Sequence, residues 1–166
     1  MKHNYTMIKL MFVCLGNICR SPLAEAVLKN KVLRANLEDS IYIESSGTAA
    51  YHIGENPDPR TTRVALKHHV PISHKAQQLN TVHFTTFDYI VVMDDSNRKN
   101  VVRIKPTHAV SAFFKLRDFD TQDEGSDVID PWFGDEDGFE ECYQTIDRCT
   151  DELLLFLMNK HHLAKG

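Results

Sequence analysis

The stretch MIKLMFVCLGNICRSP, residues 7–22, joins an apolar run to a helix start through a short polar loop. Ile8, Leu10, Met11, Phe12 and Val13 leave almost no polar face between Met7 and Leu15. Such a run suits a parallel strand buried on both sides better than a half-exposed one. Gly16 and Asn17 break it, and Ser21-Pro22 opens a helix, with proline suited to the first helical position. Ala24, Val27, Leu28 and Val32 carry the helical spacing to about Leu33. Working outward, Ile41 to Ile43 predicts a second strand that runs into the small residues Ser45 to Ala50. Turn residues Asn56 to Pro59 precede a helix over Thr61 to His69, stopped by Pro71. Tyr89 to Met93 predicts a third strand, Asp94 to Asn100 a helix, and Val110 to Leu116 a fourth strand. A long loop, Asp118 to Trp132, leads into a last helix from about Glu136 to His161, its buried face marked by Leu153, Leu154, Phe156 and Leu157. Strands and helices alternate four times, which predicts an α/β fold with a parallel sheet covered on both faces. No repeat or linker divides the chain, so a single domain over residues 7–166 is expected behind a mobile tail over residues 1–6.

Composition narrows the function classes. With 166 residues, 42% of them apolar, 25% charged and a net charge of −4, the chain is neither disordered nor a disulfide scaffold. It lacks the basic stripe that a nucleic-acid partner requires. The apolar run near the start is far short of the roughly 20 residues of a membrane span, and no small-residue cleavage site follows it. Four cysteines without a secretion signal point to a reducing, cytoplasmic setting. The nine histidines are scattered and none has metal-ligand spacing, so no metal and no cofactor is expected.

Ligands of open α/β sheets sit beyond the carboxyl ends of the strands, which directs attention to Cys14 to Ser21, Ser45 to Tyr51 and Asp94 to Asn97. The first of these has the form C-x5-R-S between a strand and a helix. Such a loop can curl so that the N–H groups of Leu15, Gly16, Asn17, Ile18 and Cys19 converge on one anion, with the helix dipole aimed at the same point. Gly16 and Asn17 are the residue types that best tolerate the left-handed backbone of a tight loop. Arg20 can grip two oxygens of a tetrahedral oxyanion at once. Cys14, in that positive field, is expected to react as a thiolate, further favoured by a hydrogen bond from Ser21. These parts amount to a nucleophile aimed at the phosphorus of a bound phosphate monoester.

The run Cys14 to Ser21, with Pro22, Ala24 and Glu25 behind it, resembles the signature of the low-molecular-weight protein tyrosine phosphatases. Ser46-Gly47-Thr48, Asp94 to Asn97 and Asp130-Pro131-Trp132 fall where that family has related elements, and the similarity spans about Ile8 to Leu157. The resemblance implies a four-stranded parallel sheet in flavodoxin-like order. It also implies a phosphotyrosine-protein phosphatase, active on small aryl phosphates, that works through a phosphocysteine on Cys14. Phosphate and vanadate would inhibit it. Asp130, held extended by Pro131, is the candidate general acid and, in the second step, the base. By the same similarity His74 supports Asn17. Asp94, at a strand's carboxyl end, either orients an arginine such as Arg20 or caps the following helix. The chain departs from the family at Trp132 and Phe133, where the family often carries tyrosines.

Trp132, Phe133 and Tyr51 are expected to wall the pocket, with Leu15 at its floor, and to favour phosphotyrosine over the shorter phosphoserine. Asp118 to Glu141 holds eleven acids and no lysine or arginine, and these like charges are expected to help keep Asp130 protonated and make the pH optimum mildly acidic. Cys19, five residues from Cys14, is expected to trap an oxidised Cys14 as a reversible disulfide, whereas Cys142 and Cys149 read as packing residues. Two rival functions share the loop. A thioredoxin-coupled arsenate reductase would need further thiols after the third strand, and Asp94 to Thr107 has none. A non-hydrolytic phosphate carrier or binding module would have no use for a leaving-group acid.

Overall fold

Alternate residues of the strand Ile8–Cys14 (β1) point to opposite faces of a sheet, and here both directions lead into apolar packing. Ile8, Leu10, Phe12 and Cys14 enter one buried cluster, Met11 and Val13 the other. In the computed structural model, which describes residues 6–164, β1 lies inside a four-stranded sheet with Ile41–Gly47 (β2), Tyr89–Val92 (β3) and Ala112–Lys115 (β4). All pairings are parallel and the order is β2-β1-β3-β4, which is the flavodoxin-like order. Cys14 lies opposite Gly47 in the register, so the carboxyl ends of the two strands open at the same level.

Among the described residues, five helices cover the sheet: Arg20–Arg34 (α1), Pro59–Lys67 (α2), His83–Thr86 (α3), Asp95–Ile104 (α4) and Glu136–Lys160 (α5). Leu23, Ala24, Val27 and Leu28 of α1 and Phe139, Ile146, Leu153 and Leu157 of α5 close over the cluster that contains Phe12. Phe84 of α3 and Val101 of α4 close over Met11 and Val13. Phe12 is fully enclosed, and truncating it to alanine would cost about 3–5 kcal/mol.

The differences from the sequence reading have local causes. Helix α1 begins at Arg20, so Pro22 occupies its third position, still among the residues whose N–H has no intrahelical acceptor. The expected turn at residues 56–59 ends early, because the Asp58 side chain accepts from the Arg60 N–H at 2.8 Å and Pro59 starts α2. Val110 does not join β4; its N–H is drawn to the carbonyl of Phe84 at 2.9 Å. The single turn α3 was not anticipated, and the long loop contains two 3-10 turns, Leu116–Phe119 and Pro131–Phe133. The expected tail lies, apart from Thr6, outside the described residues.

Candidate active site

Between the end of β1 at Cys14 and the start of α1 at Arg20, five residues turn back on themselves. Their carbonyls are engaged outward: Cys14 accepts from the Thr48 N–H at 3.0 Å, Leu15 from Ala49 at 2.9 Å and Ile18 from Asp58 at 2.8 Å. In a trans peptide the N–H points opposite to the preceding carbonyl, so those of Leu15, Gly16 and Cys19 face the hollow of the loop. Only Asn17 takes the left-handed backbone, with φ of 59°; Gly16 does not, contrary to expectation. Gly16 is small for another reason, since a Cβ there would lie 3.0 Å from the ring of His52. Gly47 is stricter, because a Cβ would stand 2.6 Å from the Leu15 carbonyl.

Asn17 is the hub of the loop. Its Nδ2 donates to Ser21 Oγ at 2.8 Å and to Ser45 Oγ at 3.0 Å. Its Oδ1 accepts from the Gln77 N–H and from His74 Nε2, both at 2.9 Å. The other ring nitrogen of His74 lies 3.3 Å from Glu25 Oε1, which also accepts from Ser45 Oγ at 2.6 Å. Burial pushes the Glu25 carboxyl up, but bonds from His74, Lys29 and Ser45 outweigh it and hold the group below the ordinary carboxylate range. Ser21 Oγ lies 2.9 Å from Cys14 Sγ and 3.5 Å from the Ser46 carbonyl. The bond that it accepts from Asn17 holds it beside the sulfur. The Asn17 N–H also donates to that sulfur, at 3.3 Å.

Arg20 is almost fully buried, and its Nη1 donates to Asp94 Oδ2 at 2.7 Å and to the Val128 carbonyl at 2.8 Å. Burial opposes its charge, yet the Cys14 sulfur and Asp94 outweigh that and raise the guanidinium above its ordinary range. Asp94 fills both roles considered for it, because its Oδ1 accepts from the Asn97 N–H at 2.7 Å and caps α4. With Nη1 committed, the edge formed by Nε and Nη2 is left for an oxyanion. Asp130 Oδ2 stands 3.6 Å from Nη2, while Oδ1 accepts from the Trp132 N–H at 3.0 Å.

A family model described as low molecular weight phosphotyrosine protein phosphatase matches residues 9–164. The chain belongs to this family. A phosphatase of that name from Saccharomyces cerevisiae is 44% identical over 142 residues, covering 84% of this chain and 88% of its own. Its counterpart from Schizosaccharomyces pombe is also 44% identical, over 137 residues, covering 82% and 88%. A protein tyrosine phosphatase from Entamoeba histolytica, solved with Hepes in its active site, matches with a TM-score of 0.88 at 33% identity, covering 92% of this chain and 98% of that one. The chain is thus an enzyme of the low molecular weight phosphotyrosine phosphatase class.

Cys14, Arg20 and Asp130 line a cleft of about 220 Å³ together with Ile18, Cys19, Trp132 and Phe133. Tyr51 lines it as well. Leu15 also lines the cleft, but it is half exposed and so does not form the closed floor expected of it. His52, which the sequence reading missed, also lines this phosphatase cleft, its ring 5.9 Å from that of Trp132 and its Nδ1 2.5 Å from Glu55.

The loop that carries Asp130 is fastened at both ends. On one side Lys115 Nζ, nearly buried, reaches Asp127 at 2.8 Å, Asp95 at 3.0 Å and the Gly125 carbonyl at 2.8 Å. On the other, Arg60 donates to the carbonyls of Gly134 at 3.1 Å and Trp132 at 3.2 Å, while its ring-facing side covers Trp132 and Phe139. The acid-rich stretch is therefore not the open field of like charge expected from counting. Arg148 and Arg117 hold Asp120, Arg63 holds Glu136, His68 and Lys67 hold Glu140, and Asp135 caps α5. Burial, then the charges of Asp58 and Cys14, push the Cys19 thiol well above its ordinary range. Burial pushes Cys142 and Cys149 up to about 12 each, as suits packing thiols. Among the described residues no cluster of His, Cys, Asp and Glu could hold a metal ion, and no helix is long and apolar enough to cross a membrane.

Proposed function

We propose that the chain hydrolyses phosphotyrosine in proteins, and small aryl phosphates, through a phosphocysteine on Cys14. One observation carries this reading: Cys14 Sγ accepts from a backbone N–H and lies 2.9 Å from a hydroxyl, inside a loop whose amides and Arg20 face the same hollow, with Asp130 beside it. The phosphate dianion sits on the loop amides and on the free Nε–Nη2 edge of Arg20. The sulfur attacks phosphorus, the P–O bond to the phenol breaks, and the Asp130 carboxyl gives its proton to the departing oxygen. Asp130, now a carboxylate, takes a proton from water as that water attacks the phosphocysteine, which returns inorganic phosphate and the thiolate.

Arg20 and Asp130 make a close pair in the free enzyme, and an arriving phosphate competes for the same guanidinium edge. Inorganic phosphate and vanadate inhibit by the same contacts. Phosphorus must reach a sulfur at the bottom of a cleft walled by Tyr51, Trp132 and Phe133, which a phenyl ester spans and a serine ester does not. The four thiols are unpaired, in keeping with a cytoplasmic enzyme. Cys19, close by in the same loop, resolves a sulfenic acid on Cys14 by forming a disulfide with release of water.

Rapid quenching during turnover of para-nitrophenyl phosphate, followed by mass spectrometry, tests the covalent step. A phosphoryl group on the Cys14 peptide is expected, accumulating in Asp130→Ala and absent in Cys14→Ser. Undiminished hydrolysis by Cys14→Ser would overturn the mechanism.

A further inference from the structure

Beside the catalytic cleft lies a second groove of about 380 Å³, and the two share Leu15 and Tyr51 as a common ridge. Its floor is the small-residue run Thr48-Ala49-Ala50, and its far side is α4, through Asn100, Arg103 and Ile104. Leu15, Tyr51 and Ile104 are all exposed apolar groups, so the groove offers stacking surface for an extended peptide.

The charge along α4 is unusual for this chain. Lys99 and Arg103 are four residues apart on one exposed face, a like-charge spacing that disfavours a helix. Neither meets an acid among the described residues, and Arg103 donates only to the amide of Asn100 at 3.3 Å. By contrast Arg20, Arg60 and Lys115 around the cleft are each held by a carboxylate. Arg63, on the same helix as Arg60, is likewise paired, with Glu136. A molecule of net charge −4 thus carries, on one flank of its active site, two cations that meet no acid among the described residues.

We propose that this groove docks an acidic side chain of the phosphopeptide substrate, held by Arg103 with Lys99 one turn away on the same helix, on one flank of the phosphotyrosine only. The inference rests on the phosphotyrosine reading above and names the substrate class within it. An aspartate or glutamate laid over the Leu15–Tyr51 ridge meets Arg103, with Lys99 one turn away on α4, while on the other flank the cations already hold carboxylates. Exposed ion pairs contribute modestly and fade with salt, so the preference is a kinetic bias rather than an absolute requirement.

The test is a panel of phosphotyrosine peptides carrying one glutamate, alanine or lysine at each of the three positions on either side. At low salt, glutamate on one flank is expected to raise kcat/KM about five-fold over alanine, and on the other flank to leave it unchanged. Lys99→Glu/Arg103→Glu should turn the preference on that flank from glutamate to lysine while leaving para-nitrophenyl phosphate hydrolysis unchanged. Equal rates across the panel, or a preference that survives the double variant or high salt, would overturn the docking inference and leave the phosphatase reading standing. Failure of the unaltered enzyme on para-nitrophenyl phosphate would bring down the phosphatase reading and the inference with it.

Discussion

Replacing Asn17 by glycine and by alanine separates the two things that this residue does. Glycine keeps the backbone at φ of 59° but deletes four side-chain hydrogen bonds, to Ser21, Ser45, His74 and Gln77. Each such bond contributes about 1 kcal/mol net, and more where the abandoned partner is buried, as Ser21 and Ser45 are. Asn17→Gly should therefore lose roughly 3–5 kcal/mol, a large part of the 5–15 kcal/mol typical of a domain. Alanine loses the same bonds and adds the steric cost of the left-handed region, about 1–2 kcal/mol, partly offset by the smaller entropy it gives up on folding. Urea unfolding should rank wild type above Asn17→Gly and Asn17→Gly above or level with Asn17→Ala. The kcat of the folded glycine variant should also drop, since Ser21 loses the contact that holds its hydroxyl beside the sulfur. A glycine variant within about 1 kcal/mol of wild type, or an alanine variant clearly more stable than it, would refute the network account.

Three other outcomes follow from the geometry. Lys115→Met removes the fastening of residues 125–127, and should steepen the dependence of kcat/KM on leaving-group basicity while costing about 1–3 kcal/mol of stability; an unchanged slope across a series of aryl phosphates would mean that Asp130 is placed without it. Bonds from Arg148 above all, against some burial, hold the Asp120 carboxyl far below its ordinary value, so the native state resists protonation that the unfolded chain accepts. The stability that this supplies is present at neutral pH, declines once pH falls below about 4 and is lost through the depressed native value; Asp120→Asn should cost about 3 kcal/mol at pH 7 and flatten the acid limb of thermal melts. Peroxide inactivation should reverse with thiol in wild type but not in Cys19→Ser, and slowly, because burial keeps the resolving thiol protonated; equal recovery of both proteins would exclude the disulfide.

What could be read from the sequence was what is contiguous. The apolar run of β1, the break at Gly16-Asn17 and the spacing of Cys14, Arg20 and Ser21 lie within sixteen residues, so local chemistry specified both the strand end and the anion loop. Features that depend on distant partners were not legible. Lys115 looks like an ordinary strand-end lysine until Asp95 and Asp127 are seen around it, and His52 gives no sign in the chain that it reaches Trp132. The eleven acids between residues 118 and 141 suggested a repelling field because their cations arrive from α2, β4 and the far part of α5. One signal was available and passed over: Asp58-Pro59 is a cap followed by a first-position proline, which places the start of α2 and, through Arg60, one fastening of the acid loop.

Because Arg20 binds the Val128 carbonyl as well as Asp94, the guanidinium proposed to grip phosphate also staples down the segment that bears the proposed acid. On that mechanism the proton donor has no journey to make when substrate arrives. An enzyme assembled this way needs no lid-closing event before chemistry, so its turnover should be indifferent to solvent viscosity.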